Sequence, residues 1–235
     1  MSASNDFSLS PDEFSGIARL FPLPNLVLFP HVVQPLHIFE PRYQDLFREA
    51  LAGDRLIAMA VLAPGWEADY EGRPRLYPMA CLGRIAAHHA LPDGSYNLLL
   101  SGLARVEILR ELPPLKRFRE AEVRIRENDL PPGPPDPADA LVGRLRGALA
   151  KLLPSLAKAH DQLDQLLEGT VSLGVLTDVV SYVLDIPIAA KTALLAETNV
   201  HRRAQTLLEH LGRAVADTAP GAAGALEFPP PFSRN

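Results

Sequence analysis

The chain has 235 residues, 47% of them hydrophobic and 22% charged, a balance that supports a sizeable core in one large or two small domains and excludes a disordered chain. Its formal net charge is −5, and the densest basic run, Lys116, Arg117 and Arg119, is flanked by Glu111, Glu120 and Glu122, which speaks against nucleic acid and against an anionic membrane surface. A single cysteine, Cys81, excludes an internal disulfide, no apolar run nears the ~18 residues of a membrane span, and Met1 to Asp12 lacks the basic start and apolar run of a secretory signal, so a cytoplasmic location is expected.

Residues 1–17 are expected to be a flexible amino terminus. Short β-branched or alternating runs follow at Arg19–Leu23, Val33–Ile38, Leu56–Leu62, Leu82–His88, Tyr96–Leu100, Arg105–Leu109 and Glu120–Ile125, punctuated by Pro, Gly and Asp-Gly, and they predict seven strands. One helix interrupts them. Glu40 precedes Pro41 at the first helical position, Tyr43, Leu46, Phe47, Ala50 and Leu51 recur at helical spacing, and Gly53 ends the run. Asp93-Gly94 predicts a tight primed hairpin turn. Residues 18–128 therefore predict a closed or nearly closed antiparallel barrel with one inserted helix.

Five prolines in eight residues, Leu130 to Pro137, admit neither helix nor sheet, so 129–137 is the expected linker. Beyond it the period turns helical. Leu141, Leu145, Leu149, Leu152 and Leu153 form one stripe, and Val171, Val175, Leu176, Val179, Val180, Val183 and Leu184 form another. Pro187 suits a helix start, and Asn199 suits the N-cap of a last helix striped by Val200, Ala204, Leu207, Leu208, Leu211 and Val215. A helical bundle over 138–218 and a disordered tail over 219–235 complete an α+β chain, a β domain before an α domain.

Chemistry is sparse. No G-x-x-x-x-G-K-[ST] string cradles a nucleotide phosphate, no G-x-S-x-G elbow presents a serine, and only four lysines occur, between Lys116 and Lys191. His88 and His89 are adjacent on a predicted strand and face opposite ways, His31 and His37 lie in extended Pro-rich chain, and Cys81 has no C-x-x-C companion, so neither metal nor cofactor is expected. Glu40 places a carboxylate at a helix amino terminus, favoured by roughly 0.3 to 1 kcal/mol, with Arg42 in reach to pair. Glu67, Asp69 and Glu71 surround Trp66 and Tyr70 in an acidic loop. That loop reads either as a solvated loop with one aromatic packed back or as a rim whose Trp66 and Tyr70 contact a peptide.

Leu20-Phe21-Pro22-Leu23-Pro24-Asn25-Leu26-Val27-Leu28-Phe29-Pro30, followed by Pro35-Leu36-His37-Ile38-Phe39-Glu40-Pro41-Arg42-Tyr43, resembles the opening of the amino-terminal domain of the Lon protease family. Leu82-Gly83-Arg84-Ile85, Leu91-Pro92-Asp93-Gly94, Leu100 to Arg105, Lys191 to Leu195 and Asn199 to Arg203 are similar to later elements of that domain, in order, over roughly residues 18 to 215. The resemblance implies a PUA-like pseudo-barrel followed by a helical bundle, binding unfolded or tagged polypeptides. Motif residues Phe21, Pro22, Leu23, Phe29, Pro30, Phe39, Gly83, Gly102 and Arg105 read as scaffold. Phe21, Phe29 and Phe39 are expected in the barrel core, Gly102 at a bulge or bend, and Arg105 braced against a carboxylate.

The expected function is that of a free-standing, non-catalytic, peptide-binding module. Glu40, Arg42, Tyr43, Trp66 and Tyr70 are its candidate contacts, sought in a groove between barrel and bundle. The alternatives are an adaptor docking on a separate ATPase, protease or chaperone, an unrecognised peptidase, and an RNA-binding PUA-like protein.

Overall fold

The run Leu-Ile-Ala-Met-Ala-Val at 56–61 is buried at every position, because the strand it forms has both faces covered and successive side chains alternate between two cores. Leu56, Ala58 and Ala60 enter a small cluster with Ala18, Leu20, Ala80, Leu82, Val106, Ala121 and Val123. Ile57, Met59 and Val61 enter a larger one with Phe21, Leu23, Phe29, Leu36 and Phe47. The alanines keep the first cluster narrow, which is what the interior of a small barrel demands.

The computed structural model describes residues 14–129, 136–152 and 171–217. Six strands, β1 (Ile17–Leu23), β2 (Val33–Ile38), β3 (Leu56–Val61), β4 (Met79–Ala90), β5 (Tyr96–Glu111) and β6 (Arg119–Arg126), are joined in the order β2-β5-β4-β3-β1-β6. β6 pairs with β5 as well, so the sheet closes on itself. Among the described residues there are five α-helices: α1 (Pro41–Ala52), α2 (Asp136–Leu152), α3 (Leu173–Val183), α4 (Ile188–Ala196) and α5 (Val200–Asp217). The α+β class and the barrel followed by helices are as expected. Of the arm expected over 1–17, residues 1–13 lie outside the described residues and Ile17 already belongs to β1. Of the linker expected over 129–137, residues 130–135 lie outside them, and Asp136 and Pro137 open α2, where a proline in the first turn gives up no helical hydrogen bond. Leu153, the tail from 218 and the side chains of Leu152 and Val215 also lie outside the described residues.

Three details depart from the sequence reading. The barrel is not wholly antiparallel, for β1 and β3 run parallel, with Leu20 opposite Ala58 and Leu23 opposite Val61. Parallel neighbours need a long crossover, and β2 with α1 supplies it. The two strands expected at Tyr96–Leu100 and Arg105–Leu109 are one, β5, whose free side pairs with β2 through Ser101 and with β6 from Arg105 onward. Gly102 lies at the exchange: its N–H donates to Val32 O at 2.8 Å and its C=O accepts from His31 N at 2.9 Å. A Cβ there would stand 2.1 Å from Phe29 O, so a close backbone crossing requires the glycine, and the β4–β5 register slips beside it, Leu82 facing Ala104 and Gly83 facing Gly102, at the bulge expected there. Phe39, third, is 41% exposed instead of buried. β2 ends at Ile38, and Phe39 stacks outside the barrel on His37 at 5.8 Å.

The β4–β5 hairpin forms at Asp93-Gly94, with a three-residue loop in place of the two-residue primed turn. Leu91 N donates to Ser95 O, Gly94 N donates to Leu91 O, and Gly94 alone takes positive φ, at 82°. Asp93 Oδ1 accepts from Ser95 N and Oγ at 3.0 and 2.6 Å, which fixes the loop.

The larger cluster continues without a break into the helices through Leu145, Leu176, Leu195, Leu207 and Leu211. Asn199 caps α5, its Oδ1 accepting from Arg202 N at 3.0 Å. Asp129 and Asn199 form a parallel bridge, and Tyr182 of α3 donates to Gln34 Oε1 of β2 at 2.7 Å. Barrel and bundle therefore share one core and a hydrogen-bonded seam.

Candidate functional site

Glu40 is the N-cap of α1, its C=O accepting from Tyr43 N and Gln44 N, with Pro41 fixing φ at the first turn. Its carboxylate makes no cap bond. Oε2 accepts from Arg42 Nε at 2.9 Å and Oε1 accepts from the Tyr70 hydroxyl at 3.0 Å. The Arg42 guanidinium lies 4.8 Å from the ring centres of both Tyr43 and Tyr70 and donates to Tyr70 O at 3.3 Å. Trp66 meets Tyr70 edge-on at 5.6 Å. All five residues named as contacts from the sequence thus lie in one cluster. Tyr43 is its buried floor, 4.1 Å from Phe21, with its hydroxyl donating to Pro22 O. Trp66 and Tyr70 are half-buried at its rim. Burial and the Glu40 carboxylate raise the Tyr70 hydroxyl above the ordinary phenol range, so it remains a donor.

The loop carrying Trp66 is tied down. Gly65 opens it at φ 90°, Ala63 N donates to Arg75 O, and Asp69 Oδ2 accepts from Arg73 N at 3.3 Å. Opposite stands the β5–β6 loop. Arg73 donates to Leu112 O at 3.4 Å, and Arg119 donates to both Glu111 oxygens and to Pro74 O, riveting the two loops together. Between them and α1 opens a cleft of about 220 Å³, lined by Pro22, Arg42 and Tyr43, by Glu71–Arg73, and by Pro114 and Lys116–Arg119. Leu115, 90% exposed, stands on its edge between Pro114 and Lys116.

A second, larger cleft of about 870 Å³ lies at the barrel–bundle seam, lined by Pro30, His31, Leu103–Arg105, Arg124–Asp129 and Thr198. It opens where β5 exchanges β2 for β6, since two strands leaving a common partner diverge. None of the five expected contacts lines it, so their cluster belongs to the barrel and not to the junction groove in which it was sought. Behind this cleft Arg105, Asp178 and Arg203 are buried together. Arg105 grips the Asp178 carboxylate with both terminal nitrogens and donates to Leu195 O at 3.0 Å. Arg203 donates to Thr177 Oγ1, Glu197 O and Asn128 Oδ1 at 2.9, 2.7 and 3.0 Å. Burial, with Arg105 beside it, lowers the pKa of Arg203 to about 10. The brace expected for Arg105 is thus a carboxylate from α3, 73 residues away.

The family model for the ATP-dependent protease La (LON) substrate-binding domain matches residues 17–213. The chain belongs to that family. It is 28% identical over 212 residues to Lon protease 2 of Myxococcus xanthus and 29% identical over 196 residues to Lon protease of Heliobacterium modesticaldum. These alignments cover 87% and 83% of this chain but 24% and 23% of those proteins. The fold matches the N-terminal domain of Mycobacterium avium complex Lon protease with a TM-score of 0.66 and 14% identity, covering 83% of this chain and 98% of that one. It matches a Lon N-terminal domain protein from Xanthomonas campestris with a TM-score of 0.59 and 23% identity, covering 82% and 97%.

Several residues of this chain were missed from sequence. Asp178 is the one charged side chain in Leu-Gly-Val-Leu-Thr-Asp-Val-Val-Ser-Tyr-Val, and a lone carboxylate on an apolar helix was the available signal of a buried ion pair. Leu115 in Pro-Pro-Leu-Lys was a comparable signal for an exposed apolar tip. Nothing local announced Asn128. Among the described residues no group of three or more His, Cys, Asp or Glu stands close enough to hold a metal ion. His88 packs on Phe47 at 5.6 Å, while His89 lies opposite Asn97. Burial pushes the Cys81 thiol pKa up.

Proposed function

We propose that this chain binds exposed apolar segments of unfolded polypeptides in the cleft edged by Trp66, Tyr70 and Leu115, and that its own residues catalyse neither ATP hydrolysis nor peptide cleavage. The observation that carries this is a cleft walled by hydrogen-bond donors with apolar surface close by: exposed Leu115 falls between the lining residues Pro114 and Lys116, Tyr70 lies over the lining Arg42, and Trp66 packs on Tyr70. Leu115 and Trp66 offer surface to apolar side chains of a partner, while the guanidinium groups of Arg73 and Arg117 offer donors to the carbonyls of an extended chain. Half-buried aromatics add contact area at little entropic cost, since each has only two side-chain torsions to fix. Membership of a family described as a substrate-binding domain supports the same reading. A cytoplasmic location goes with it, in keeping with a single, buried cysteine.

The cluster beneath the cleft is scaffold in this reading. Glu40 and Arg42 hold Tyr70, Tyr70 holds Trp66, and substrate meets the outer members. Replacing Trp66→Ala together with Leu115→Ser removes both edges without touching the core. The expected result is binding of an unfolded polypeptide weakened about tenfold or more, read by fluorescence anisotropy, with a melting temperature close to that of the parent. Unchanged affinity in the doubly substituted chain refutes this placement of the site.

A further inference from the structure

We infer that this cleft selects segments in which an acidic side chain lies beside apolar ones. The proposal rests on polypeptide binding at the cleft and adds the chemistry of the preferred segment. Five cationic side chains, Arg42, Arg73, Lys116, Arg117 and Arg119, line the space, and Glu71 is the single carboxylate among the lining residues. The carboxylates that pair with those cations, on Glu40, Asp45, Glu49, Glu111 and Glu120, are not among the lining residues. An entering group therefore meets the donors first.

The cations differ in how firmly they are held. Arg42 is clamped between two tyrosine rings and Arg119 is anchored on Glu111 and Pro74 O, so both present a fixed field at the floor. Lys116 is shared between Glu49 and Glu120. Arg117 is 74% exposed, and its salt bridge to Asp45 spans 3.8 Å, a distance at which a surface pair contributes little. Its guanidinium is free to exchange that contact for a carboxylate delivered by a ligand, in a two-donor geometry that a lysine cannot offer. Phe118 lines the same space, exposed Leu115 follows the lining Pro114, and Tyr70, which carries Trp66, covers the lining Arg42, an apolar surround that suits apolar neighbours of the acid. The chain as a whole carries −5, so distant charge repels an acidic segment and the attraction is short-ranged.

The test uses the full chain and two short fluorescein-labelled peptides, identical except for a central Glu or Gln between Leu and Phe. The expected result at low salt is that the Glu peptide binds about tenfold tighter than the Gln peptide. The ratio should shrink in high salt, and Arg117→Glu should abolish or invert it while the Gln peptide still binds. Equal affinities for the two peptides overturn the proposal and leave polypeptide binding standing. If neither peptide binds, the proposal fails. Binding of a larger unfolded protein then decides whether polypeptide binding fails with it. A short single-stranded RNA that displaces the Glu peptide at equal concentration overturns the proposal in favour of phosphate recognition.

Discussion

His31 holds a φ of 64°, in the left-handed region that costs an ordinary residue on the order of 1 kcal/mol. The turn is imposed from outside, because the His31 N–H must reach Gly102 O while Phe29 O crosses Gly102 within the space of a missing Cβ. The imidazole lines the larger cleft, and burial lowers its pKa below 6.5, opposed by Asp178 and reinforced by Arg105 and Arg203. In the unfolded chain the ring takes a proton near pH 6.5, whereas the native protein resists it. The associated stability is thus fully present above pH 6.5 and is lost as pH falls from there through the lower folded-state pKa. Asparagine tolerates the left-handed region and does not titrate in this range, so His31→Asn should show a smaller loss of stability between pH 7 and pH 5 than the parent. Urea midpoints measured across that range check it, and parallel pH profiles for the two proteins contradict it.

At the scale of elements the barrel and the bundle are joined by ions. α3 brings Asp178 against Arg105 of β5 and Arg203 of α5, at 0% exposure for the carboxylate. The carbonyls of Leu195 and Glu197 at the end of α4 accept from the same two arginines, satisfying groups that a helix terminus otherwise leaves unpaired. Removing the shared anion leaves two buried cations facing each other. Asp178→Asn should therefore destabilise the fold by about 3 to 5 kcal/mol, measured by chemical denaturation, whereas a loss below about 1 kcal/mol shows that water already screens the network. The elements themselves were largely legible. α1 follows from Pro41 and the spacing of Tyr43, Leu46, Phe47 and Ala50, and α5 from the Asn199 cap. Pairing was not: alternation in β1 and β3 specifies which side chains share a face but not which strand lies alongside, so the parallel β1–β3 pair was hidden. β5 looked like two strands because Gly102 resembles a break, while the backbone crossing that demands the glycine comes from Phe29, far away in sequence.

For the whole molecule, one continuous core ties a closed barrel to a helical bundle, and the two clefts lie at different places on it. The sequence identified Glu40 with Arg42, neighbours on one turn, and marked Trp66 and Tyr70 as aromatics in an acidic loop. Their meeting depends on a contact across 30 residues, Tyr70 to Glu40, which no local pattern encodes. On the opposite wall Leu115 was the one signal; the cations Lys116, Arg117 and Arg119 read as a solvated run balanced by nearby acids, and only the fold sets them along the cleft. Trp66 is the single tryptophan of the chain, so the emission comes from one place, its contact with Tyr70 beside the cleft. The most direct measurement titrates the protein with a tryptophan-free polypeptide unfolded by reduction and alkylation of its disulfides, with the folded form of the same polypeptide alongside. A saturable change in Trp66 emission with the unfolded form, and none with the folded form, is the predicted result. Absence of binding, or binding seen by anisotropy while Trp66 emission stays constant, contradicts it.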